Sequence, residues 1–309
     1  MIEIRGLTKR FGRNTAVDSL TFTVEQGDAF GFVGPNGAGK TTTIRMLSTL
    51  LEPDAGTALV NGYDIIRQPE AVRACIGYMP DFFGVYTDMK VWEYLDFFAA
   101  AYRVPRAKRT GLISDVLELT DLTHKREEYV ETLSRGMQQR LCLAKTLVHD
   151  PDILLLDEPA SGLDPRARIE IRELLQELCR MKKTILISSH ILPELAELCS
   201  KVAIIEAGKL VMAGAVSEIS TQLVGGVKLG VRVASDRLEE CCAFLRARPD
   251  ISSAAVVEGE VEAVYGGQPD DQHQILSALL AAGFQVQSFG EREMNLETLY
   301  MRVTKGIVS

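Results

Sequence analysis

The chain has 309 residues, 46% of them hydrophobic and 25% charged, the balance of a packed globular protein of about two domains. That composition excludes a disordered chain, and no apolar run of about 18 residues is present to cross a membrane as a helix. A formal charge of −8 argues against broad, sequence-independent attraction to nucleic acid, so no nucleic-acid partner is expected.

The first ten residues open on a strand-like alternation, Ile2 and Ile4, and lack the apolar core of a signal peptide. Strands are predicted at Val17–Val24 and Ala29–Val33, punctuated by glycine. A glycine-rich loop follows Val33, and Ile44, Leu47 and Leu51 then recur at helical spacing. Further strands are predicted at Thr57–Val60 and Ile76–Met79. From Lys90 to Leu147 the pattern is mostly helical. One helix places Val91, Leu95, Phe98 and Tyr102 on a single face, and another does so with Leu112, Val116 and Leu119. Ile153–Leu156 reads as a strand buried on both faces and Thr184–Ser188 as a second. An amphipathic helix through Ile171, Leu174, Leu175 and Leu178 separates them. Strands alternating with helices predict an α/β fold with a largely parallel sheet.

The texture changes after Ser220. Gly225-Gly226 reads as a hinge, followed by strand (Val227–Val233), helix (Arg237–Arg246) and strand (Ser252–Val257). Past the turn Glu258-Gly259 come strand (Val261–Val264), helix (Gln272–Ala282) and strand (Phe284–Ser288). This β-α-β-β-α-β order is the ferredoxin-like arrangement, and a closing helix is predicted at Leu296–Val303. Two domains are therefore expected, 1–220 and 225–309. The six cysteines (Cys75, Cys142, Cys179, Cys199, Cys241, Cys242) form no CxxC pair and read as reduced, packing thiols of a cytoplasmic protein.

Chemistry concentrates in the first domain. Gly34-Pro35-Asn36-Gly37-Ala38-Gly39-Lys40-Thr41 fits GxxxxGK[ST] between a strand and a helix. Glycines let successive backbone N–H groups turn inward around a phosphate, and the helix N-terminus adds a favourable dipole. Lys40 is expected at the β- and γ-phosphates, the Thr41 hydroxyl on Mg²⁺, and Thr42 beside them. Ile153–Leu156 runs into Asp157-Glu158-Pro159. A carboxylate at the end of a buried strand suits Mg²⁺ coordination, the role expected of Asp157, and Glu158 is placed to polarise an attacking water.

Leu133-Ser134-Arg135-Gly136-Met137-Gln138-Gln139-Arg140 completes the set. With the two preceding motifs it resembles the LSGGQ signature of the ATPase subunits of ABC transporters, over residues 1 to about 220. Arg135 and Met137 replace the consensus second-position glycine and terminal glutamine, while Ser134 and Gly136 remain. The resemblance implies an antiparallel β-subdomain and a helical subdomain around a P-loop NTPase core. It also implies a head-to-tail pair, homodimer or mixed, in which Ser134 and Gly136 bind the γ-phosphate of ATP held by the other copy. It maps Asp164, in Ser161-Gly162-Leu163-Asp164, onto the D-loop at the dimer interface, and His190 onto the switch histidine at the γ-phosphate. Phe11 falls where the family stacks an aromatic ring on adenine. Asp81 replaces the family's Q-loop glutamine, near nucleotide and metal, and beside it Phe82, Phe83 and Tyr86 form a loop. Those aromatics read as a socket for a membrane partner or as a cap on the helical subdomain's core. Met79 and Trp92 read as core.

The single cassette, small C-terminal domain and PDFFGVY stretch resemble exporters of drugs, lipids or antibiotic peptides. The partner implied is a separate integral-membrane permease, which would hold the chain at the cytoplasmic face of the membrane. The rival reading is a soluble ABC ATPase acting on ribosomes or DNA, but such chains carry two cassettes or a long coiled-coil insertion. A P-loop GTPase is disfavoured, since no NKxD-type motif follows the loop.

Overall fold

In the computed structural model the described residues are 1–309 except 83, 85–87, 191–194, 196–197, 217, 220–226, 268–270 and 293–309. The closing helix Leu296–Val303, the hinge Gly225-Gly226, Phe83 and Tyr86 lie outside the described residues. The chain divides into two compact units, Met1–Gly214 and Ala215–Lys305. Among the described residues no helix is long and apolar enough to cross a membrane.

The first unit opens with β1 (Ile2–Phe11), β2 (Asn14–Val24), β3 (Ala29–Val33) and α1 (Lys40–Leu47). It continues through β4 (Ala55–Val60), β5 (Tyr63–Asp64), α2 (Pro69–Cys75), β6 (Ile76–Met79), α3 (Val91–Ala101), α4 (Arg106–Leu119) and α5 (Arg135–Leu147). It ends with β7 (Ile153–Asp157), α6 (Pro165–Arg180), β8 (Thr184–Ser189), β9 (Lys201–Glu206) and β10 (Lys209–Ala215). Two sheets result, in the orders β2-β1-β4-β5 and β10-β9-β3-β8-β7-β6. The first is antiparallel, and along β2 every second residue from Leu20 to Val24 is buried. Phe22 joins the two sheets, with its ring 5.5 Å from both Phe30 and Phe32 of β3. Such aromatic pairs contribute about 0.5–1.5 kcal/mol beyond their buried area.

In the second sheet β9, β3, β8, β7 and β6 run parallel. β3, β7 and β8 are buried at every position, which explains their continuous apolar character. Val33 pairs with Ser189 and Asp157 with Ser188. The register therefore brings the carboxyl ends of β3, β7 and β8 to one edge, where ligands of open α/β sheets bind.

Several details differ from the sequence reading. No strand of the first domain is predicted after Thr184–Ser188, yet β9 flanks β3 on its other side and β10 follows. The buried stripe of α4 is Ile113, Val116 and Leu117, and Leu112 and Leu119 are half-buried. In α3, Tyr94 and Ala99 replace Phe98 and Tyr102 on the buried face. Tyr102 instead stacks on His149, centroids 3.6 Å apart. A stripe on a short helix is decided by which neighbour it meets, and spacing alone leaves a shift of one residue undecided. Helix α2, which starts at Pro69, was not predicted. Met79 is core, while Trp92 is half-buried.

The second unit contains β11 (Val227–Arg232), α7 (Leu238–Arg246), β12 (Ile251–Val257), β13 (Glu260–Tyr265), α8 (His273–Ala281) and β14 (Ser288–Glu291). Its antiparallel sheet has the order β12-β13-β11-β14. The core includes Leu229, Val231, Leu245, Val261, Ile275 and Leu279, with Cys241 and Cys242 packed among them. All six cysteines are free thiols. The last strand starts at Ser288 instead of Phe284. Phe284 is drawn into the core against Phe244 (centroids 5.6 Å apart), beneath the Arg237 guanidinium at 4.3 Å. Ser288–Glu291 then pairs with β11.

Candidate functional site

The loop from Gly34 to Lys40 must turn between β3 and α1 within a few residues. Gly37 and Gly39 take φ of +82° and +105°, the left-handed region that glycine enters without penalty. A Cβ on Gly39 would collide with the Ala16 carbonyl of β2, and one on Gly34 with the Ile205 carbonyl of β9. At Gly37 a Cβ would meet nothing within 4 Å, so the loop is open on that side. The Ala38 amide donates to Pro35 O at 3.1 Å, and the Gly208 amide donates to Ala38 O at 3.0 Å. The latter bond anchors the loop to the β9–β10 turn.

Lys40 is only 6% exposed. Its Nζ donates to Gly34 O at 2.7 Å and to Pro35 O at 3.3 Å, and it lies 3.3 Å from Glu158 Oε1. Asp157 is buried at the end of β7. Its Oδ1 accepts from Ser188 Oγ at 2.6 Å, and the Thr41 hydroxyl lies near this carboxylate. Burial pushes the Asp157 carboxyl above its ordinary range. Asp81 adds to the rise, while the bond from Ser188, the nearby Thr41 hydroxyl and the charge of Lys40 oppose it. Its Oδ2 has no hydrogen-bond partner.

Glu158 adopts φ +51°, costly for a residue other than glycine. Its amide donates to Ser188 Oγ at 3.0 Å and to Ser188 O at 3.2 Å. Its Oε2 lies 2.8 Å from His190 Nδ1. Lys40 and His190 thus meet at the Glu158 carboxylate, and Ser188 links Glu158 to Asp157 in one network. Sequence reasoning gave Ser188 no role, since a serine within an apolar strand carries no motif.

Beside this network lies a cleft of about 160 Å³ lined by Ala16, Asn36, Gly37, Gly39, Lys40, Thr41, Thr42, Asp81 and Glu158. The structure thus brings Asp81 to the glycine-rich loop. Ala16 was not anticipated; nothing in an alanine on β2 signals its place. Phe11, Ser134, Gly136 and Asp164 are not among the lining residues. Phe11 ends β1 and is 52% exposed, with Lys9 Nζ 5.8 Å from its ring centroid. Ser134 caps α5, its Oγ accepting from the Met137 amide at 3.3 Å. Asp164 caps α6, its Oδ1 accepting from the Ala167 amide at 2.9 Å. Gly136 sits where α5 meets α6, and a Cβ there would stand 3.4 Å from Ala167 Cβ.

The donor set suits a nucleoside triphosphate with a hard cation. A glycine-rich loop at the N-terminus of α1 and a buried ammonium suit phosphates, and the Thr41 hydroxyl with the unpartnered Asp157 Oδ2 offers the oxygen ligands that Mg²⁺ prefers. Residues 17–161 match the family model described as ABC transporter. The chain is 35% identical, over 98% of its length and 94% of the relative's, to the Nod factor export ATP-binding protein I of Ralstonia nicotianae. It is 29% identical to the linearmycin resistance ATP-binding protein LnrL of Bacillus subtilis, covering 98% of both chains. A solved ATP-binding subunit of an ABC transporter superposes with a TM-score of 0.66 at 28% identity, over 72% of this chain and 92% of that one. On this site, this P-loop NTPase α/β fold and these relatives, the chain belongs to the ATP-binding, ATP-hydrolysing subunits of ABC transporters.

Proposed function

We propose that this ATPase powers export through a separate membrane-spanning subunit, working as one half of a head-to-tail pair at the cytoplasmic face of the membrane. The observation that carries the reading is the network at the strand ends, in which Glu158 is held between Lys40 and His190 while Asp157 meets Thr41. Glu158 acts as the general base that polarises the attacking water, and His190 fixes its carboxylate. Lys40 and the loop amides hold the β- and γ-phosphates. Thr41 and Asp157 would hold Mg²⁺, with Asp81 beside them. When bound, the metal supplies positive charge against the phosphates.

Ser134, Gly136 and Asp164 stand outside the cleft of their own chain, which supports a second copy supplying them in trans. The relatives named for Nod factor export and linearmycin resistance favour export, within the drug, lipid or antibiotic-peptide class. Phe82 is 89% exposed next to Asp81, which suits a loop that receives a helix of the membrane subunit. For the second unit we propose a ferredoxin-like module that steadies or regulates the pair, a reading its strand order supports.

The test is Glu158→Gln in the full chain. ATP binding is expected to persist, turnover to nearly stop, and an ATP-dependent dimer to accumulate on a sizing column. Wild-type turnover in this variant would remove Glu158 from the role of base.

A further inference from the structure

Two side chains of α5 with no place in the phosphate cleft reach the segment that carries Glu158. Gln139 is 3% exposed, and its Nε2 donates to the Pro159 carbonyl at 2.6 Å. Arg135 lies one turn earlier on the same helix face. Its guanidinium occupies the space over Gly162, where a Cβ would stand 2.7 Å from Arg135 Cζ. Gly162 also has φ +68°, so the turn and the arginine both require a bare backbone there.

Glu158 therefore sits between two restraints. Ser188 fixes its amide, and Gln139 fixes the carbonyl of the next residue. A left-handed backbone at a non-glycine residue costs about 1–3 kcal/mol and persists only where its surroundings over-determine it. A buried amide that loses its acceptor, or a carbonyl that loses its donor, releases such a restraint.

We propose that Gln139 and Arg135 are positioning residues for Glu158, so that the N-terminal end of α5, with Ser134 and Gly136, moves as one unit with the carboxylate. A glycine at position 135, as in the family consensus, offers no such side chain. Displacement of that end of α5 then reaches Glu158 through Pro159 and Gly162, which ties hydrolysis to whatever the signature segment touches. The inference rests on the reading of Glu158 as the base.

The experiment measures ATP turnover and nucleotide affinity of the full chain for Gln139→Leu, Arg135→Gly and Glu158→Gln, and for each of the first two combined with Glu158→Gln. Gln139→Leu and Arg135→Gly are each expected to lower kcat on the order of tenfold. ATP affinity should stay within about twofold of wild type, and neither change should slow the residual turnover of Glu158→Gln further. Arg135 is exposed, so its variant remains readable if the buried Gln139→Leu fails to fold. Unchanged kcat, a parallel loss of ATP affinity, or additive losses in the double variants would overturn the proposal and leave both residues as packing. Wild-type turnover in Glu158→Gln alone would instead overturn the base assignment on which it rests.

Discussion

Asp81 replaces a neutral glutamine in a cleft built for a polyanion, and removing its charge is the most direct perturbation of this site. The side chain lines the cleft with Lys40, Thr41 and Glu158, and its charge is felt by the Asp157 carboxyl. Two unit charges 4 Å apart interact by about 1 kcal/mol in water and about 4 kcal/mol at an effective dielectric of 20. Because Asp81 is solvent-exposed, screening brings its repulsion of a γ-phosphate oxygen to about 1–2 kcal/mol. That corresponds to roughly 5- to 30-fold. Asp81→Gln should therefore tighten ATP binding by that factor when Mg²⁺ is chelated and by less when it is present. It should also raise the unaided turnover and shrink the stimulation given by the membrane subunit. Asp81→Asn removes the charge at nearly constant size and separates repulsion from reach. The assay is ATP affinity with and without Mg²⁺, and turnover of the three proteins with and without the partner. If both variants lower the unaided rate, Asp81 is a productive ligand of metal or water and its charge does not slow the unaided subunit.

Phe11→Ala should weaken ATP binding by about 1–3 kcal/mol, the range of base–aromatic stacking, and leave tripolyphosphate binding unchanged; equal losses for both ligands would deny the stacking role. Burial raises the Asp157 carboxyl above its ordinary 3.8. Between that value and the raised one the folded state binds the extra proton, so stability falls as pH rises through the window and stays lower above it. Thermal midpoints should therefore gain more from Mg²⁺ above the window than below it, and Asp157→Asn should flatten that pH dependence. A chain truncated after Leu223 should bind ATP with wild-type affinity by titration, because none of the residues lining the cleft lies beyond Glu158; lost affinity in a folded truncate would show that the second unit supports the site.

The amino-acid sequence by itself determined the parts of this protein whose chemistry is contiguous. Gly34–Thr41 is legible because one short loop supplies glycines, lysine and hydroxyl together, and Ile153–Glu158 because an apolar strand ends abruptly in two carboxylates. The stripe of the long helix α6 was legible residue by residue, whereas those of α3 and α4 were displaced. The last strand was misplaced because Phe284 satisfies its hydrophobicity against Phe244 and not within the sheet. Only the tertiary structure decided that Ser188 joins Asp157 to Glu158, that Asp81 enters the cleft, and that Gln139 reaches Pro159. These contacts join residues 20 or more positions apart. They depend on the parallel register that aligns the ends of β3, β7 and β8 and on how α5 packs beside them. That register is set by the burial of both faces of the sheet at once, a condition no local spacing in the chain records.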